Sequence, residues 1–173
     1  MSTYDDMTDD QLAERVIAAL VASGRRIAVA ESLTGGLLTA ALVGVPGASR
    51  ALLGGIVSYD TALKRTILGV ESSILAVHGA VHRDVARQMA RGVRQTCAID
   101  GRPADVGVST TGAAGPDPQD GQSPGTAFVG LSIDGDSRAI ALHLDGGRQA
   151  VRAGVVRAAL TALVEALEPG GNI

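Results

Sequence analysis

The chain has 173 residues, of which 46% are apolar, yet it carries one Phe, two Tyr and no Trp. That length suits one domain with a core built from Ala, Val, Leu and Ile, and it is too short for two ordinary ones. A net charge of −3 with so few aromatic rings argues against a nucleic-acid surface, which needs clustered Lys/Arg and stacking side chains. Cys97 is the only cysteine, so no disulfide framework or thiolate metal cluster is expected, in keeping with a reducing cytoplasm. It reads as small buried filler. The start, Met1-Ser2-Thr3-Tyr4-Asp5-Asp6, is acidic and lacks the layout of a signal peptide, and no unbroken apolar run reaches membrane-spanning length. The expectation is a cytoplasmic protein without nucleic-acid or membrane partners.

In chain order, Thr8-Asp9-Asp10-Gln11 reads as a capping box, followed by Leu12, Val16, Ile17 and Leu20 at helical spacing until Ser23-Gly24 stops the pattern. A short buried strand covers about Arg26 to Ala30, and a Leu- and Ala-rich helix then runs to Gly44, where Val45-Pro46-Gly47 breaks it. Gly55 to Tyr59 reads as the next strand. Asp60 caps a short helix through Ala62, Leu63 and Ile67, and a second short helical stretch spans about Ser73 to Val77, the two ending at Gly69 and Gly79. A longer helix from about Arg83 to Ala98 carries Val85, Met89, Val93 and Cys97 on one face.

The strand Ala104 to Thr110 ends in hydroxyls. The segment Thr111 to Gly125 holds so many turn formers that it reads as one long loop, a feature often tied to function in compact domains. Thr126 to Ile133 and Arg138 to Leu144 flank Asp134-Gly135-Asp136-Ser137 and read as an antiparallel hairpin. The last helix starts near Gly147 with Val151, Val155, Ala158, Ala159 and Leu163. Crossover units followed by a hairpin predict an α/β fold, with a mixed sheet of about five strands sandwiched between helices, in a single domain over 1–173.

Three clusters carry chemistry. In the first, Ser32 follows the strand and precedes Thr34, Gly35 and Gly36, whose glycines let the backbone turn sharply so that N–H groups point back at the hydroxyl. Such a turn can hold a nucleophile or an anion, or it can be a capped connection. A serine nucleophile needs a base. His78, His82 and His143 are weak candidates, because nothing in the sequence sets them beside Ser32, and the first two lack the glutamate of a zinc-protease motif. The second cluster is Ser58-Tyr59-Asp60-Thr61-Ala62-Leu63-Lys64. If its strand lies parallel beside the first, Tyr59 and Ser32 emerge at the same sheet edge, with Lys64 one turn inside the next helix. Lysine acts as a base only where burial or a positive neighbour lowers its pKa, and the plain alternative is an exposed lysine beside Arg65.

The third cluster, Ser109-Thr110-Thr111-Gly112-Ala113-Ala114-Gly115-Pro116, offers successive hydroxyl and N–H donors to a phosphate or carboxamide, or simply caps a turn. It is neither a phosphate loop nor a dinucleotide fingerprint. Asp117 and Asp120 lack companion ligands for a metal and read as solvated. Arg148 and Arg152 open the last helix against its dipole, which hints at an anion, with solvation as the plainer alternative.

Glu31-Ser32-Leu33-Thr34-Gly35-Gly36, Val45-Pro46-Gly47-Ala48-Ser49, Gly54-Gly55-Ile56-Val57-Ser58-Tyr59 with Lys64, Leu68-Gly69-Val70, Gly79-Ala80-Val81, Thr111-Gly112-Ala113-Ala114-Gly115-Pro116 and Gly147-Arg148 occur in family order. Together they resemble the CinA C-terminal domain family, the nicotinamide-nucleotide amidases, from about Gln11 to Leu167. The resemblance implies a three-layer α/β/α sandwich. It also implies hydrolysis of nicotinamide mononucleotide to nicotinic acid mononucleotide and ammonia, in pyridine-nucleotide recycling, with no metal or organic cofactor. By position, Ser32 looks like the nucleophile, Lys64 its proton acceptor, Tyr59 an assisting group and Thr34 a pocket residue. From the chemistry of the residues and not from the resemblance, the turn at Gly35 and Gly36 could supply oxyanion N–H groups, and Thr110, Thr111 and Gly112, or Arg148, could hold the phosphate.

Departures from the pattern are Leu33 where the family often has Cys, His82 for a common Ser, and Asp117-Pro118-Gln119-Asp120 for a glycine run, the last two bearing on pocket shape. Some members carry a large N-terminal domain resembling molybdopterin-binding proteins, whose activity is not expected of this chain. Ala- and Val-rich helix faces suit a homo-oligomer. The alternative function is a catalytically silent nucleotide-binding or regulatory module of the same fold, and a plain interaction scaffold is the third reading.

Overall fold

The computed structural model describes residue 4 and residues 6–168; most of the acidic start read above lies outside them. Five strands form one sheet in the order β2-β1-β3-β4-β5. β1 (Ile27–Glu31) is paired in parallel with β2 (Leu52–Val57) on one side and β3 (Val106–Gly112) on the other. β4 (Thr126–Ile133) and β5 (Asp136–His143) continue the sheet antiparallel, joined by a turn at Asp134 and Gly135. The expected mixed five-strand sheet between helices is the observed architecture. Several boundaries moved by a residue or more, and two of them bear on the site. β3 extends through Thr111 and Gly112 because their backbone pairs with Phe128 and Ala127 of β4, so the loop begins later than its turn-forming composition suggests. β2 starts at Leu52 and ends before Ser58, after a single 3-10 turn at Ala48–Arg50.

One face of the sheet is covered by α1 (Asp9–Ser23), α2 (Leu37–Val43) and α6 (Arg148–Leu167). Ile27 and Val29 of β1 point into that layer, against Leu12, Leu38, Val155 and Leu163. Thr8 caps α1 with both halves of the capping box formed, as its sequence requires. The other face takes α5 (Arg83–Thr96), flanked by the short helices α3 (Thr61–Thr66) and α4 (Ser72–His78). There Ala28 and Ala30 meet Val85, Met89 and Val93. Cys97, expected as buried filler, is only partly buried where it ends α5, packed against the rim of this cluster.

Small residues bring α5 close to the sheet. A methyl group on Gly130 of β4 would lie 2.2 Å from the Ala86 carbonyl oxygen, and one on Gly107 of β3 would lie 2.0 Å from that of Ala90. The Ser109 hydroxyl donates to the same Ala86 carbonyl at 2.6 Å. This close approach holds the C-terminal edge of β1, β2 and β3 in fixed relation to the loops beyond it. Among the described residues no helix is long and apolar enough to cross a membrane.

Candidate active site

The turn after β1 is clamped from two sides. Glu31, the last residue of the strand, is fully buried, and its carboxylate accepts the N–H groups of Leu38 and Thr39 at 2.9 Å each, plus the Thr39 hydroxyl at 2.6 Å. Its charge is thereby satisfied against the first turn of α2. From α6, Arg152 donates through Nε to the Leu33 carbonyl at 2.9 Å and through Nη2 to that of Thr34 at 3.1 Å. Gly35 and Gly36 take φ of 59° and 102°, the left-handed region in which a side chain is strained. Between the clamps the Ser32 N–H donates to the Thr110 carbonyl at 3.0 Å, and Ser32 is 8% exposed. Among the described residues its hydroxyl has no hydrogen-bond partner, and neither do the N–H groups of Leu33 and Thr34. A free hydroxyl beside two free amide donors is what acyl chemistry requires.

Lys64 is the only lysine in the sequence, every other long cationic side chain being arginine. It is 1% exposed, lying within α3 with its Nζ turned back to donate to the carbonyls of Ser58 at 2.7 Å and Tyr59 at 3.2 Å. Burial pushes its pKa down to about 8, partly offset by the carboxylates of Asp60 and Asp120. The exposed-lysine reading is therefore overturned. Lys64 makes no hydrogen bond with Ser32 in this conformation. The two meet through the sheet edge, since Ser58 N–H donates to the Glu31 carbonyl at 2.9 Å and so continues the β1–β2 ladder one residue past the Glu31–Val57 pair.

Ser32, Leu33, Tyr59, Gly112, Ala114, Gln119 and Arg148 line a cleft of about 60 Å³. Arg148 spans its mouth, donating to the Tyr59 hydroxyl at 3.0 Å and to the Gly115 carbonyl at 2.9 Å. Larger grooves lie elsewhere, one of them along Val45 to Gly54, away from these groups. The other hydroxyls named from the sequence turn inward: Thr34 and Thr110 hydrogen-bond each other at 2.7 Å, and Thr111 donates to the Ala80 carbonyl at 2.7 Å. None of the three lines the cleft, and Gly35 and Gly36 form the turn itself; the Gly35 N–H, read from the sequence as an oxyanion donor, is spent on the Ser32 carbonyl at 3.1 Å. Asp120 is exposed but not merely solvated, because its carboxylate accepts the Ala80 N–H at 2.7 Å and anchors the long loop. Among the described residues no cluster of three or more His, Cys, Asp or Glu could hold a metal. His78 and His82 stack on each other at 4.1 Å, and His82 caps α5.

Sequence reasoning missed Glu31 and Gln119, and left Arg152 as a solvated candidate. An acid closing an otherwise apolar strand, directly before a double-glycine turn, was the available signal for Glu31. Gln119 gave none, since its place depends on the loop path.

Comparison with known proteins places this geometry in a family. The family model described as "CinA C-terminal domain" matches residues 9–167. A putative competence-damage inducible protein of Geobacillus kaustophilus is 41% identical over 145 residues, which is 83% of this chain and 34% of that protein. A CinA-like protein of Frankia casuarinae is 43% identical over 152 residues, 88% of this chain and 34% of its own length. The chain thus spans about a third of these curated relatives. Among solved structures, a CinA superfamily protein from Klebsiella pneumoniae superposes with a TM-score of 0.86 at 33% identity, covering 93% of this chain and 98% of that one. One from Enterobacter cloacae gives 0.89 at 29% identity, covering 97% of each. The chain belongs to the CinA C-terminal domain family.

Proposed function

We propose that this protein hydrolyses the carboxamide of nicotinamide mononucleotide, releasing nicotinic acid mononucleotide and ammonia, with Ser32 as nucleophile and Lys64 as base. The observation that carries the reading is the buried amine of Lys64, the single lysine of the sequence, held by backbone carbonyls at the sheet edge that also presents the free Ser32 hydroxyl. Ser32 Oγ attacks the amide carbon while its proton passes to neutral Lys64. The tetrahedral oxyanion faces the unpaired N–H groups of Leu33 and Thr34. Collapse breaks the C–N bond as the lysine proton goes to the departing nitrogen, and a water then hydrolyses the acyl-enzyme by the same proton route. Arg148 supplies the cation for the phosphate, exchanging its present partners, Tyr59 and Gly115, for phosphate oxygens. The steps so written draw on no metal or organic cofactor.

Ammonia release from nicotinamide mononucleotide by the wild-type chain, lost in Ser32→Ala and reduced roughly 10²- to 10⁴-fold in Lys64→Met while both stay folded, supports this reading. Wild-type rates in either variant remove that residue's role. A second reading, a nucleotide-binding or regulatory module without turnover, is favoured by the missing Lys64–Ser32 hydrogen bond and the narrow cleft. Calorimetry that finds saturable binding of the nucleotide with no ammonia released decides for that module.

A further inference from the structure

The Ser58 hydroxyl is fully buried and has no hydrogen-bond partner in the structure. Buried hydroxyls are almost always paired, and an orphan works against stability, so one beside a candidate site needs an explanation. Three relations fix its surroundings. Its own carbonyl is the nearer acceptor of Lys64 Nζ, at 2.7 Å. Its N–H extends the β1–β2 ladder beyond Glu31, which sets Ser58 next to Ser32 on the neighbouring strand end. Side chains alternate along both strands, with Ala28, Ala30 and Ile56 on the α5 face, and the same alternation carried on assigns Ser32 and Ser58 to one face.

We propose that Ser58 is the proton relay between Ser32 and Lys64. This rests on the Ser–Lys reading above and supplies the link that reading lacks, since Lys64 gives two hydrogens to carbonyls and none of its hydrogen bonds reaches Ser32. A neutral amine whose two N–H groups are committed to Ser58 and Tyr59 carbonyls keeps its lone pair as the only open valence. A hydroxyl donates and accepts at once. As Ser32 Oγ bonds to the amide carbon, its proton moves to Ser58 Oγ while the Ser58 proton moves to Lys64 Nζ. Ser58 ends neutral, Lys64 ends as ammonium, and the reverse shift delivers the proton to departing ammonia. The hydroxyl is unpaired in the resting conformation because both of its partners form only when substrate draws the groups together.

The test uses the full chain with Ser58→Ala and Ser58→Thr. The first removes only the hydroxyl, and the second returns it. For nicotinamide mononucleotide we expect kcat to fall roughly 30- to 100-fold in Ser58→Ala with KM changed less than about twofold, and most of the loss to be restored in Ser58→Thr. The melting temperature of Ser58→Ala should equal or exceed wild type, because an unpaired buried group has been deleted. Ser32 labelling by a fluorophosphonate reports nucleophilicity without substrate, and it should slow in parallel. Wild-type kcat and labelling rate in Ser58→Ala overturn the relay, as does a loss that Ser58→Thr fails to restore or that tracks a lowered melting temperature. If the wild type neither releases ammonia nor labels at Ser32, the Ser–Lys reading itself fails. Hydrolysis that is lost in Ser32→Ala but intact in Ser58→Ala removes the relay alone.

Discussion

Lys64 Nζ sits 2.7 Å from the carbonyl oxygen of Ser58, six residues earlier in the chain, and this bond holds the lysine inward against the sheet edge. A lysine in α3 with ordinary helical exposure would extend into water and stay charged. Folded back under the 58–60 connection it loses hydration, and the loss falls on the charged form.

That relationship makes the Lys64 titration a direct measurement. Because the chain has one lysine, 13C labelling at lysine Cε gives a single side-chain signal, expected to titrate near 8 instead of the ordinary 10.5. Amidase kcat/KM should therefore climb about tenfold per pH unit below 8 and level off above it, since the base works only when neutral. A midpoint near 10.5, or a flat rate profile through 8, refutes the base assignment.

The same shift links stability to pH. Below about pH 8 the amine is charged in both folded and unfolded chains, so its burial penalty is constant. Between about 8 and 10.5 only the unfolded chain holds the proton, so the unfolded state binds more protons and stability rises with pH. This one group should contribute on the order of 3 kcal/mol across that window. Urea unfolding of wild type and Lys64→Met at pH 7.5 and pH 10 checks it, with the gain expected in wild type only.

Glu31→Gln tests the clamp on the Ser32 turn. The carboxylate accepts from three donors on Leu38 and Thr39, and an amide replaces one acceptor oxygen by an NH2 group facing an N–H or O–H. A loss of about 2 to 3 kcal/mol is expected in denaturant unfolding. Ammonia release should fall with it. Unchanged stability would mean the turn is held by Arg152 alone.

Arg148→Ala should separate phosphate recognition from chemistry. Its guanidinium now spans Tyr59 and Gly115, and on the proposed reading it re-pairs with the substrate phosphate. KM for nicotinamide mononucleotide should rise roughly 10- to 100-fold, while the corresponding nucleoside without phosphate is turned over as by wild type. An equal loss on both substrates would assign Arg148 to holding Tyr59 instead.

Gly130→Ala probes the α5 contact, where the added methyl would lie 2.2 Å from the Ala86 carbonyl oxygen and 2.4 Å from Ser109 Oγ. Backbone cannot yield that distance locally, so about 1 to 3 kcal/mol of stability should be lost. Calorimetric melting measures it, and a variant as stable as wild type would show that α5 can lift off the sheet.

Much of the fold was legible because its signals are local. The Thr8 capping box, the double glycine after Ser32 and the Asp134-Gly135 turn each specify backbone geometry within a few residues, and helical spacing marks the buried faces of α1 and α5. The end of β3 was not legible. Thr111 and Gly112 look like loop residues, and only pairing with β4 makes them strand.

The sequence by itself determined the α/β class, the Ser32 turn and, through ordered motifs, the family. Only the tertiary structure decided that Lys64 is buried and bound to the Ser58 carbonyl, that Arg148 bridges Tyr59 to Gly115, and that the Thr34, Thr110 and Thr111 hydroxyls serve each other and the backbone. The physical reason is range. Capping and turn chemistry act between near neighbours, whereas burial and hydrogen-bond partners depend on which distant segments the parallel sheet brings to one edge.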